Sequence, residues 1–201
     1  MIRTALFGTL LLAACTSRGE QRGVARADTA SPTTTAAPMD TVLAGALARF
    51  REGLLPTDTL RHASASADAV VREFARLVER SDTVGLARLH LSRGEWAWLV
   101  YPESRWARPP YRQRPDVAWT LIVERSNGAL GRLLERRGGR PLRVAGWRCD
   151  AVPQREGRTT YHGGCAVTYR DDRGREVTER LFSSIVVRDG RYKIGSYSNQ
   201  F

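Results

Sequence analysis

Cys149, Asp150, His162 and Cys165 stand within one short stretch, "WRCDAVPQREGRTTYHGGC" (147–165). These residue types serve three chemistries. Two thiolates, an imidazole and a carboxylate can complete a tetrahedral zinc-type site, a thiolate of lowered pKa can act as a redox nucleophile, and two thiols in an oxidising compartment form a disulfide. Spacing separates these once the stretch is read as a β-hairpin turning at Glu156-Gly157. Cys149 and Cys165 are equidistant from Gly157, so antiparallel pairing about that residue sets them opposite each other, with Trp147 against Val167 and Ala145 against Tyr169. At a non-hydrogen-bonded antiparallel position the α-carbons lie about 4.5 Å apart, near the short end of the range a disulfide bridges. Alternation puts His162 on the face opposite Cys165, so one ion does not collect both, and neither a metal nor a cofactor is expected. Redox pairs usually hold their cysteines two residues apart at a helix start, which is not the spacing here. The expectation is a structural Cys149–Cys165 disulfide, with His162 a solvent-facing strand residue and His90 a cap or packing residue at a helix end.

That expectation needs an oxidising compartment, and the N-terminus addresses it. "MIRTALFGTLLLAACTS" carries Arg3 before an apolar run, Ala5 to Ala14. Spanning a bilayer takes about 20 apolar residues, whereas the order of charge, apolar run and small residues is that of a secretory signal. Leu12-Ala13-Ala14-Cys15 resembles the lipobox of bacterial lipoproteins. The resemblance implies a signal peptide over 1–14, cleavage before Cys15 and lipids on Cys15. With Thr16 rather than Asp after the Cys, it implies a lipid-anchored protein of the outer membrane facing the periplasm. Residues 15–39 are rich in Thr, Ala and Ser with scattered charge, too polar to offset their own ordering entropy, and read as a flexible tether.

Beyond the tether about 160 residues remain, enough for one domain with its own core. The formal charge is +11, or +10 once Arg3 is removed, and Lys193 is the only lysine. Such a balance ordinarily raises nucleic acid as a partner. The export signal argues against it and favours the membrane held through the anchor, an anionic envelope component or another envelope protein.

Periodicity supplies the elements. Val42, Leu43, Ala46, Leu47 and Phe50 recur at helical spacing, ended by Gly53 and Pro56. Val70, Val71, Phe74, Leu77 and Val78 form the clearest amphipathic stripe, capped by Ser66 or Asp68. Asp82 can cap a short helix with Leu86 and Leu89 inward, and Ser92 with Glu95 reads as a capping box before Trp96, Leu99 and Val100. "YPESRWARPPYRQRPD" (101–116) reads as an irregular surface loop. A long helix follows from Asp116 through Leu121, Ile122, Leu130, Leu133 and Leu134 to Gly138-Gly139, with Asn127-Gly128 as the place for a kink. From Leu142 the period falls to two, and three turn signals give four antiparallel strands in a meander. Pairing about Asp189-Gly190 sets Ile185 against Ile194 and Val187 against Tyr192, on a face shared with Leu181 that packs on helices. The other face, with Phe182, Tyr197, Val186 and Lys193, is expected to be partly open.

The fold class is therefore α+β, N-terminal helices on a C-terminal four-stranded meander, in one domain over 40–201 with its core in 66–201. "FARLVERSDTVGLARL" and "RLFSSIVVRDGRYKIGSYSN" make this order resemble the nuclear transport factor 2-like superfamily, which includes ketosteroid isomerase-like enzymes. The resemblance implies a cone whose mouth holds a small molecule. In the enzymes of that superfamily a carboxylate base and an acidic hydrogen-bond donor share an apolar cavity. Here Tyr101, Tyr169 and Asp150 are the residues available for such a role, and no spacing selects them, so no catalytic residue is assigned. A non-enzymatic binding or interaction module is the preferred reading. Its most conspicuous surface is the loop with Arg105, Trp106, Arg108, Tyr111, Arg112 and Arg114, whose guanidinium forks and rings suit an anionic ligand.

Overall fold

The computed structural model describes residues 39–197. The signal segment, Cys15, all but the last residue of the tether, and residues 198–201 lie outside them. Asp40 accepts a hydrogen bond from Leu43 N and starts α1 (Thr41–Arg51), which buries Leu43, Ala46, Leu47 and Phe50. Val42, read as part of that stripe, is instead 74 % exposed. Ser66 caps α2 (Ala67–Glu79), and Asp82 caps α3 (Thr83–Leu89). The capping box of Ser92 and Glu95 forms on α4 (Arg93–Glu95). The chain continues through a π-helical turn (Trp96–Val100) and two 3-10 turns (Tyr101–Glu103 and Arg105–Ala107). Pro115 supplies the first residue of α5 (Pro115–Arg137), as its fixed φ and missing N–H allow. This helix stays helical through Asn127-Gly128 and ends at Gly138, whose N–H donates to Leu134 O.

Helices are followed by antiparallel sheet, so the class is α+β. The sheet is not one four-stranded meander. Among the described residues there are seven strands in two sheets, ordered β1-β4-β5 and β2-β3-β6-β7. The strands are β1 (Arg143–Arg148), β2 (Gln154–Glu156), β3 (Thr159–His162), β4 (Ala166–Arg170), β5 (Glu176–Glu179), β6 (Ser184–Arg188) and β7 (Arg191–Ser196). The expected long hairpin splits at Gly163-Gly164. Before it, β3 pairs with β2 and β6; after it, β4 pairs with β1 and β5. Gly164 has φ +59, and a Cβ there would lie 2.2 Å from Asp150 Oδ1, so the crossing between sheets needs glycine. Trp147 does face Val167, but a bulge between Val144 and Gly146 moves Tyr169 opposite Val144 instead of Ala145.

The Cys149–Cys165 disulfide is formed. It ties the end of β1 to the residue before β4, at the point where the chain changes sheets.

The β6–β7 register is as expected, with Ile185 against Ile194, Val186 against Lys193 and Val187 against Tyr192. One face packs with Leu181 on Val70, Phe74, Val78, Leu86 and Leu133. The opposite face is not open. Val186 joins Leu47, Phe50, Trp96, Val100 and Tyr101 in a second cluster, and Lys193 is only 2 % exposed. The cause is α1, which with the π-helical turn covers the side the sequence pattern left to solvent.

Candidate functional site

A cavity of about 490 Å³ opens beside this second cluster, within the range of small-molecule sites. Several elements build it, β6 and β7 among them through Ser184, Gly195 and Ser196. The π-helical turn contributes Trp96, the first half of α5 contributes Trp119, Ile122 and Arg125, the 3-10 turn contributes Arg105 and Trp106, and the β2–β3 hairpin contributes Glu156 and Tyr161. Trp96 and Trp119 lie with ring centroids 6.2 Å apart, and Trp106 packs on Tyr111 at 5.3 Å. The Trp96 indole N–H is buried without a hydrogen-bond partner among the described residues. Arg105 Nε lies 3.3 Å from Glu156 Oε1, and its guanidinium lies 5.8 Å from the Trp106 ring centroid. Burial pushes the Tyr161 hydroxyl above the ordinary tyrosine range, and the Glu156 charge adds to the effect. Tyr161 is therefore a neutral hydroxyl at neutral pH. The site offers flat apolar surface with two arginines, the carboxylates of Asp150 and Glu156 and hydrogen-bonding groups around it, a composition that holds an amphipathic molecule in one orientation.

The loop that supplies Arg105 and Trp106 is held at both ends. Glu103 accepts two hydrogen bonds from Arg188, at 2.7 and 3.0 Å, and one from Arg158 N at 2.8 Å. Gly157 sits against it with φ +57, where a Cβ would come within 2.5 Å of the Glu103 carboxylate. At the far end the Tyr101 hydroxyl donates to Gln113 O at 2.7 Å, and Gln113 N donates to Trp106 O at 2.7 Å. The two aromatic walls are thus positioned before any ligand arrives.

Burial opposes the charge on Glu103. Its hydrogen bonds from Arg188 and Arg158, with the charges of those residues, outweigh burial and hold the carboxyl below its usual range. In the unfolded chain a glutamate titrates near 4.3, about the ordinary value. The folded pKa is the lower one, so the contribution is complete above the unfolded value and is lost as pH falls through the folded one. Glu103→Gln is therefore expected to flatten the acid limb of stability, measured as the urea midpoint from about pH 6 to about pH 3. Parallel curves for wild type and variant would contradict this.

The six residues singled out in the loop do not act as one surface. Arg105 and Trp106 line the cavity. Arg112 Nε lies 4.0 Å from Asp40 Oδ2, and Arg114 grips Asp116 with two hydrogen bonds at 2.9 and 3.1 Å, pairs that in solvent contribute little. Tyr111 is half exposed over Trp106, and Arg108 forms no ion pair among the described residues. Of the residues available for ketosteroid isomerase-like chemistry, Asp150 lines the cavity, whereas Tyr101 and Tyr169 do not. Tyr169 is buried and its hydroxyl donates to Glu179 Oε2 at 2.7 Å. Among the described residues no cluster of three His, Cys, Asp or Glu is placed to hold a metal ion, and no helix is long and apolar enough to cross a membrane.

Trp119, Arg125, Glu156 and Tyr161 escaped the sequence reading. A signal was present in α5, where Ala118, Trp119, Leu121 and Ile122 make an apolar face wider than one packing stripe. Leu121, assigned inward, is 43 % exposed and lines the cavity. Comparisons of this chain with family models, with curated proteins and with solved structures find no match.

Proposed function

We propose that the chain is a lipid-anchored envelope protein whose α+β domain is a non-enzymatic binding module, with a cone of the nuclear transport factor 2-like kind as its ligand site. Lipids on Cys15 hold it at the outer membrane on the periplasmic side. The ligand is a small ring-bearing anion of the envelope, its apolar part between Trp96, Trp119 and Ile122 and its charge at Arg105 and Arg125. The observation that carries this reading is the union in one cavity wall of Arg105 and Trp106 from the loop with Trp119 and Arg125 from α5. The disulfide is consistent with export to an oxidising compartment.

Calorimetric titration of the full chain in lipid nanodiscs with 1-naphthyl phosphate and with 1-naphthol tests the site. The phosphate is expected to bind about tenfold more tightly, since charge-assisted hydrogen bonds outweigh neutral ones. Arg105→Gln should remove that preference and leave the naphthol affinity unchanged. Equal affinity for the two probes in the wild type would refute the anionic part of the reading, and no heat with either would refute the cavity as a site. For the anchor, Cys15→Ser is expected to abolish incorporation of labelled fatty acid and leave unprocessed precursor. Equal labelling of wild type and variant would refute the anchor.

A further inference from the structure

Six residues that line the Trp-walled cavity, Asp150, Val152, Gln154, Glu156, Tyr161 and Gly163, lie inside the loop that the Cys149–Cys165 bond closes. One wall of the cavity is therefore a tied loop, whereas Trp96, Trp119 and Ile122 stand on helical elements. The two parts of the loop are held differently. From Glu156 to His162 it is bound into the sheet, since β3 pairs with both β2 and β6, and Glu103 accepts a hydrogen bond from Arg158 N. The part from Cys149 to Pro153 belongs to no strand. Among the described residues its only backbone hydrogen bond runs from Asp150 N to Gly163 O, at 2.9 Å. That bond and the disulfide tie it to the rest of the domain.

This weakly held part carries the lip of the cavity. Asp150 and Val152 both line the cavity and both are exposed, Val152 at 81 %. The Asp150 carboxylate stands against the backbone at Gly164, where a Cβ would lie 2.2 Å from Oδ1, and it forms no ion pair among the described residues. Cys149 precedes Asp150 in the chain, and its partner Cys165 is 1 % exposed within the main core. The disulfide thus anchors the lip to the most rigid part of the molecule.

We infer that the Cys149–Cys165 bond is a positioning element of the ligand cavity, holding the Asp150–Pro153 lip in place so that binding does not have to order it. The inference rests on the reading of this cavity as a ligand site. Two effects follow from loss of the bond, and both weaken binding of an anion. A ligand must then fix the backbone of the freed residues at its own expense. The Asp150 carboxylate is also free to move toward Arg105 and Arg125, which line the same cavity and attract a ligand of the same sign.

Calorimetric titration of the full chain in lipid nanodiscs with 1-naphthyl phosphate tests this. Cys149→Ala with Cys165→Ala is expected to bind at least about tenfold more weakly than the wild type while keeping the circular dichroism of the folded domain, since fixing one residue's backbone is enough for that factor. Val78→Ala, in the main core and outside the cavity lining, weakens the fold without touching the lip and should leave the affinity unchanged. Pro153→Gly loosens the lip with the disulfide intact and should weaken binding about threefold, a result that does not depend on the cysteine variant folding. Unchanged affinity in the cysteine variant, or in Pro153→Gly should the cysteine variant not fold, would overturn the inference and leave the cavity reading standing. An equal loss in Val78→Ala would assign the effect to global stability and overturn it as well. No heat with the wild type would instead refute the cavity reading, and amide order parameters then decide the role of the bond without a ligand. In the cysteine variant those of Ala151 and Val152 should fall below about 0.6 while those of Thr160 and Trp119 stay near the wild-type values. Unchanged values at Ala151 and Val152 would overturn the positioning role.

Discussion

Glu95→Leu is expected to lower the unfolding free energy by about 3–5 kcal/mol, the cost of stranding one member of a buried ion pair. Among the described residues Glu95 is the only counter-charge hydrogen-bonded to Lys193, and it also satisfies the backbone N–H groups of Arg61 and Ser92. Its loss leaves an ammonium buried on the inner side of β7 and opens the capping box of α4. Glu95→Leu combined with Lys193→Met removes both charges and should recover most of the loss, because a buried ion pair gains little over apolar side chains of similar volume. Chemical denaturation of the three proteins decides this. A single-variant loss below about 1 kcal/mol, or a double variant no better than the single one, would contradict the account. The pH dependence adds a second check. Burial already holds the Lys193 pKa below its ordinary value against the pull of Glu95. Without Glu95 the folded state releases that proton more readily still, while the unfolded chain keeps it up to about 10.4. The unfolded state then binds more protons across that window, so the variant should regain stability as pH rises through it.

The second large effect belongs to the disulfide. Cys149→Ala with Cys165→Ala is expected to cost about 3 kcal/mol, the loop-closure value for about 15 enclosed residues, the cysteines being 16 apart in sequence. The location sharpens the expectation. The bond sits where β1 ends and where the chain enters β4 after leaving the other sheet, beside the hydrogen bonds Asp150 N to Gly163 O and Cys165 N to Ser183 O. Amide exchange at Asp150 and Cys165 should therefore quicken more than exchange in α2, whose apolar face is buried in the main core. Uniform acceleration throughout the domain, or an unchanged denaturation midpoint, would argue against this local role.

Both effects bear on what could be read from the residues alone. The helical half was legible where one stripe faces one core: Val70, Phe74 and Val78, Leu86 and Leu89, and the Ser92–Glu95 box stand as their spacing implied. The β6–β7 register was legible because Asp189-Gly190 makes a two-residue turn that admits one pairing. The β1–β4 pairing was right at Trp147 and Val167 and failed at Ala145, since a bulge leaves no mark in an alternating pattern. Gly163-Gly164 carried the signal for the crossing between sheets, but inside a stretch symmetric about Gly157 the symmetry suggested one hairpin. Long-range assembly was not legible. Nothing local says that α1 covers the Val186 side of the sheet, that Lys193 meets Glu95 across 98 residues, or that Trp119 and Tyr161 share a cavity with Arg105. Those are tertiary facts, set by which apolar faces find each other.

Tryptophan side-chain resonances test the Trp-lined cavity as a ligand site, residue by residue. The chain has five tryptophans. Trp96, Trp106 and Trp119 line the cavity, whereas Trp98 and Trp147 do not, the latter's indole donating to Asp68 at 2.7 Å. With the full chain labelled at tryptophan with nitrogen-15 and 1-naphthyl phosphate added to saturation, the indole N–H signals of the first three should shift together, with one common dissociation constant, while those of Trp98 and Trp147 stay in place. Shifts confined to Trp98 or Trp147, or no shift in any of the five, would contradict the assignment of the cavity as the binding site.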